Sequence, residues 1–200
     1  MSAKVHSGLN GEKSLRAERT VKSFEGRVRD SDIEHMMILD RNGNVIEEVE
    51  GLEDEVTYTT PYEMMKDTIT SHNHPDAVFE NGDHLVAPMY SPDDLVLMAY
   101  NDEYESRVVT SVRTYILRRM GAVASDKRNA FAKAYAEAWD RAEAKANAVA
   151  KKYLALGKFP DTEQAYMRFA NNLANRYLRK WMRNNSLKYG YAFEEHIRRR

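Results

Sequence analysis

The texture of hydrophobic and polar positions changes twice along this chain, and the changes divide it into three stretches. Residues 1–19 are mainly polar, carry Gly8 and Gly11, and predict a flexible lead-in. From there to residue 120, short apolar runs alternate with turn signals, as in strands and brief helices. SFEGRVR (23–29) and HMMILD (35–40) predict short strands. DRNG (40–43) predicts a hairpin turn, with Asn42 and Gly43 supplying positive φ angles, and NVIEEVEG (44–51) returns as the partner strand. EVTYTT (55–60) alternates apolar and polar positions like another strand, and Pro61 opens a short helix, PYEMMKDTI. TITSHN (68–73) predicts a buried strand, SPDDLVLMAYND (91–102) a helix, and SRVVTSVRTYILRR (106–119) one or two closing strands.

After Gly121 the period becomes helical. Phe131, Tyr135, Trp139, Ala142, Ala146, Val149 and Tyr153 recur three or four apart in a segment rich in Ala, Lys, Glu and Arg. Gly157 predicts its C-terminal stop, and Asp161 the N-cap of a second helix with Tyr166, Phe169, Leu173, Tyr177 and Trp181 on one stripe. The short connection predicts an antiparallel hairpin. The fold expected is therefore α/β (α+β): a small mixed sheet flanked by helices over residues 20–120, then a helical extension over 121–200.

Composition narrows the chemistry. The chain has no cysteine, which excludes disulfides and Cys-ligated metal; a transition metal must use His, Asp or Glu. No apolar run reaches the length of a membrane span and no signal-peptide segment stands at the N-terminus, so the expectation is a soluble cytoplasmic protein without membrane partners. The net charge of −1 conceals an asymmetry: residues 1–112 carry 10 Lys and Arg against 23 Asp and Glu, and residues 113–200 carry 20 against 8. The halves can attract each other, within a chain or between copies, or face different partners.

Candidate chemistry gathers between Thr70 and Leu95. In an extended strand His72 and His74 point to one face and Asn73 to the other, as two imidazoles sharing an ion require. Ser91 and Asp94 are neighbours on the first turn of a helix. Two His and one Asp leave a coordination position open, as in catalytic zinc sites. SPDD is also a strong helix start in its own right, with Ser as N-cap, Pro at N1 and an acid at N3. Two histidines so spaced are also common in solvated loops.

His72-Asn73-His74-Pro75 followed by Ser91-Pro92-Asp93-Asp94 resembles the JAMM signature of the JAB/MPN metalloproteases, most closely the RadC-like and phage-associated bacterial members. DIEHMMILDRNGNVI resembles the family's early hairpin and puts Glu34 at its glutamate. The resemblance covers about residues 20–118. It implies Zn2+ held by His72, His74 and Asp94. Glu34 would take the proton of the activated water and pass it to the leaving amine, and Ser91 would donate a hydrogen bond to the oxyanion. The implied substrate is a protein or peptide amide, including the isopeptide bond of a ubiquitin-like conjugate. The 16 residues between His74 and Ser91 exceed the family's gap. Glu80, Asp83 and His84 in this insert could form a polar loop or lid, or could add a ligand; a fourth protein ligand would make the metal structural.

The second helix carries Arg168, Arg176, Arg179, Lys180 and Arg183 among Tyr166, Tyr177 and Trp181, and the chain ends Arg198-Arg199-Arg200. Cations interleaved with rings suit nucleic acid or an acidic partner. The same spacing also describes a core stripe with a solvated outer face. A second function class follows from the basic surface: a phage or mobile-element accessory protein with the same scaffold, binding nucleic acid or a virion or host protein without catalysis.

Overall fold

A computed structural model describes residues 12–198. Helix α1 (Leu15–Val28) leads into strands β1 (His35–Leu39) and β2 (Val45–Glu50), a single helical turn α2 (Tyr62–Met65) and strand β3 (Ile69–Asn73). A two-stranded ribbon follows, β4 (Ala77–Val78) and β5 (His84–Leu85), then helix α3 (Pro92–Asn101) and strands β6 (Glu105–Val109) and β7 (Arg113–Arg119). Helices α4 (Ser125–Ala155) and α5 (Glu163–Asn185) form the antiparallel hairpin, and strand β8 (Tyr191–Ile197) closes the chain. The main sheet has the order β2-β1-β3-β6-β7-β8, with β3 and β6 parallel and the other pairs antiparallel. The expected mixed α/β architecture is thus present.

Three local expectations fail for physical reasons. SFEGRVR is helical, because Ala17, Val21, Phe24 and Val28 form a stripe that buries against Met37, Leu39 and Ile69. Of the expected flexible lead-in over residues 1–19, residues 15–19 belong to α1, and residues 1–11 lie outside the described part. EVTYTT joins no ladder. Val56 and Tyr58 pack over Met36, Ile38 and Met65, while Thr59 and Thr60 donate backbone and hydroxyl hydrogen bonds to Glu47. The helix after Pro61 is one turn only, ending before Asp67 at φ 62°.

The turn at 40–44 needs one positive φ, at Gly43 (φ 90°), and not at Asn42. A Cβ on Gly43 would stand 2.7 Å from the Ala17 backbone nitrogen, so the position also admits the start of α1. Gly157 ends α4 in the left-handed conformation as expected, whereas Thr162, not Asp161, caps α5.

The larger correction concerns domain organisation. β8 pairs with β7 along its whole length, so the hairpin is an excursion between adjacent strands. Its residues Phe131, Tyr135, Leu178 and Met182 share one core with Tyr90, Leu95, Val108 and Leu117. A boundary at residue 120 would cut through one sheet and one core. Trp181 is half-buried and lies against Phe131 and Tyr135 at the edge of this core.

The opposite charges of the two halves meet inside the chain. Arg119 pairs with Asp67 and Asp102, Arg128 with Asp102, Arg118 with Glu105, Arg168 with Asp83 and Arg198 with Asp30. On the α1 face Arg107, 1% exposed, is gripped by Glu18 (2.6 Å), Glu25 (2.9 Å) and Glu105 (2.6 Å). Among the described residues no helix is long and apolar enough to cross a membrane.

Candidate metal centre

β3 supplies the first two candidate ligands. It is buried throughout and lies between β1 and β6, with His72 opposite Met36 and beside Val108. The His74 backbone N–H donates to the Val109 carbonyl, which continues the extended geometry and turns both imidazoles to the face covered by α3. α3 supplies the third candidate. Ser91 Oγ accepts the Asp94 N–H (3.1 Å), and the Ser91 N–H donates to Asp94 Oδ2 (2.6 Å). The capping reading and the ligand reading of SPDD therefore describe one geometry: the cap fixes Oδ2 and leaves Oδ1 beside His72.

The three groups converge. His72 Nε2 is 3.0 Å from His74 Nε2 and 3.1 Å from Asp94 Oδ1, and His74 Nε2 is 3.5 Å from Asp94 Oδ2. Ligand atoms on a tetrahedral zinc lie about 2.0–2.1 Å from the ion, which separates them by about 3.3 Å. Among the described residues His72, His74 and Asp94 are the group that could hold a metal ion. The Pro88 carbonyl accepts from His74 Nδ1 (3.1 Å). In a neutral ring the proton is then on Nδ1, and Nε2 presents its lone pair to the centre.

The field also suits a cation. Burial opposes charge on His74, but Asp94 bonded to it and Glu34 nearby hold its pKa above the ordinary value. Burial likewise opposes the Asp94 carboxylate, and the two imidazoles outweigh it and keep that group well below the usual range. The carboxylates that favour a proton on His74 favour a metal in its place.

Glu34 stands one residue before β1, its backbone bonded to Leu52 and Gly51. Its carboxyl is raised, first by burial and then by Asp94 and Asp54, with His74 and His72 acting in the opposite sense. The sequence-predicted set of Glu34, His72, His74, Ser91 and Asp94 thus gathers at one end of the sheet. His84 does not join it: it is exposed on β5, and its ribbon is tied away to α5 through Asp83–Arg168 (3.2 Å) and Asn81–Gln164 (3.1 Å). Neither Asp83 nor His84 belongs to the group of converging ligand atoms.

The five basic residues of α5 are not equivalent. Arg168 pairs with Asp83, and Arg179 and Arg183 turn to Glu195 of β8. Arg176 and Lys180 remain exposed.

Sequence reasoning missed several residues around the centre. The Asn73 carboxamide accepts the His35 N–H (2.7 Å) and donates to the Ile33 carbonyl (2.9 Å), so it grips the backbone on both sides of Glu34. Glu103 is fully buried behind the centre, where it accepts from Thr70 Oγ1 (2.7 Å) and Asn101 Nδ2 (3.1 Å). Burial lifts its pKa to about 7 against these two hydrogen bonds. Asn171 and Asn175 of α5 reach the segment before Ser91; two asparagines four apart beside the apolar stripe Ala170–Ala174–Leu178 were the available signal.

No protein-family model, curated protein or solved structure matches this chain.

Proposed function

We propose that the protein is a zinc-dependent amide hydrolase, a peptidase or isopeptidase with a JAB/MPN-like site. The observation that carries this reading is the convergence of His72 Nε2, His74 Nε2 and the Asp94 carboxylate at 3.0–3.5 Å from one another, with Glu34 in the same field. Three protein ligands leave a position open, as catalysis needs. A zinc ion held there would lower the pKa of water and polarise an amide carbonyl. Glu34, whose carboxyl burial raises above the ordinary glutamate value, would take a proton from the attacking water and return it to the departing amine. The Ser91 hydroxyl accepts the Asp94 N–H, which fixes its position and leaves its own proton to donate to the developing oxyanion.

The test combines metal content with turnover. Tag-free wild type should carry about one zinc per chain, and the His72→Ala/His74→Ala double variant none. Glu34→Gln should keep the zinc and lose hydrolysis of peptide and isopeptide amides. Zinc absent from wild type, even after reconstitution, would overturn the proposal and leave a non-catalytic scaffold whose exposed Arg176 and Lys180 invite a salt-dependent binding assay.

A further inference from the structure

The segment Val86–Tyr90 joins the ribbon to α3. It delivers the Pro88 carbonyl to His74 and then Ser91 and Asp94 to the centre. Pro88 has no N–H, so hydrogen bonds from its neighbours must place its carbonyl. Those bonds come from the helical hairpin. Asn171 Nδ2 donates to the Val86 carbonyl (2.7 Å), and Asn175 Oδ1 accepts the Met89 N–H (3.3 Å). The two carboxamides are themselves joined, Asn175 Nδ2 donating to Asn171 Oδ1 (3.3 Å). From α4, the Tyr135 hydroxyl donates to the Tyr90 carbonyl (2.6 Å). Asn175 is only 6% exposed, and a buried carboxamide on an otherwise apolar helix face is retained at a cost unless its bonds matter.

We infer that Asn171 and Asn175 are positioning residues for the metal centre: through Val86 and Met89 they fix the Pro88 carbonyl, which sets the tautomer and orientation of His74. The hairpin, which lies outside the family resemblance, is in this account an outer wall of the site. The inference rests on the metal reading above for its consequence, and on hydrogen-bond geometry for its substance. Loss of such an outer partner weakens metal binding by roughly 10–100-fold.

The test uses the full chain and two readouts. In metal-free protein at alkaline pH, nitrogen–proton correlation spectra of the imidazoles should show His74 as the Nδ1–H tautomer. Asn175→Leu should move it toward a mixture with Nε2–H. Zinc affinity, measured by competition with a chromophoric chelator, should fall roughly tenfold or more in the same variant. Asn171→Leu, at a half-buried position, serves if Asn175→Leu does not fold. Phe169→Leu loosens the far end of the hairpin, where Phe169 packs on Tyr153 and Phe159, and should change neither readout. A folded Asn variant with unchanged tautomer and zinc affinity within about twofold of wild type would overturn the inference and leave the hydrolase reading intact. Wild type that takes no zinc, but whose His74 tautomer follows Asn175, would overturn the hydrolase reading and keep the positioning role.

Discussion

Glu103 places a carboxyl in the interior with two neutral hydrogen-bond donors, Thr70 and Asn101. Its folded pKa of about 7 stands against 4.5 for an unhindered glutamate. Between those values the folded chain holds a proton that the unfolded chain has released, so stability falls as pH rises from about 4.5 through about 7 and is level above. The difference corresponds to about 3 kcal/mol withheld from the fold at alkaline pH, with no discount for solvent because the group is buried. Glu103→Gln should recover most of it. The glutamine oxygen can accept from Asn101 and its amide can donate to the Thr70 hydroxyl, so both bonds survive. Urea denaturation of chelator-treated protein reads the effect. The variant should match wild type near pH 4.5 and exceed it by about 2–3 kcal/mol near pH 8.5. A variant no more stable than wild type at the higher pH, or one offset by the same amount at both, would refute the reasoning.

Other outcomes follow from the same geometry. Arg107→Met leaves Glu18, Glu25 and Glu105 facing one another without their shared cation and should cost about 3–5 kcal/mol by urea denaturation at neutral pH. Tyr135→Phe strands the buried Tyr90 carbonyl and should cost about 1–3 kcal/mol in the same assay. If Glu34 is the base, its raised pKa means that the ionised form appears at higher pH than for an ordinary glutamate. The acid limb of a kcat/KM profile should then lie above the ordinary glutamate value of 4.5, and a limb at or below it would remove Glu34 from that role. Asp94→Asn removes the ligand charge while Ser91 can still cap α3, and should weaken zinc binding at least tenfold in a chelator competition with little loss of helix content.

Much of the fold was legible in sequence because period and packing agree there. The helical periods of α4 and α5, the SPDD start of α3 and the apolar runs of β1, β3, β6 and β7 each mark an element that forms, but on α5 the buried face is Ala170, Ala174, Leu178 and Met182, while the predicted stripe of Tyr166, Phe169, Leu173, Tyr177 and Trp181 is half-buried beside it. β8 was not legible. Its inward positions are Tyr191, Phe193 and Glu195, and the last meets Arg113, Arg179 and Arg183 instead of an apolar neighbour. The helical stripe of α1 starts inside a stretch that reads as polar, and its other half, around Gly26, resembles a strand when taken alone. The candidate ligands could be named because alternation along a strand and the first turn of a helix both fix direction. The groups that hold those ligands could not, since Pro88, Asn171 and Asn175 act through backbone contacts across sequence distances that no local pattern encodes.

The return of the chain to β7 through β8 bears on how the molecule comes into being. His72, His74 and Asp94 leave the ribosome early, but Asn171 and Asn175 follow many residues later, and β8, the strand that ties the end of α5 to the sheet, is the last of the described elements. A nascent chain with its ligands already synthesised therefore still lacks the wall that orients them. On the metal reading, loading of the centre would be a late event in biosynthesis, and a chain cut short before β8 would carry His72, His74 and Asp94 without the strand that ties the hairpin to the sheet.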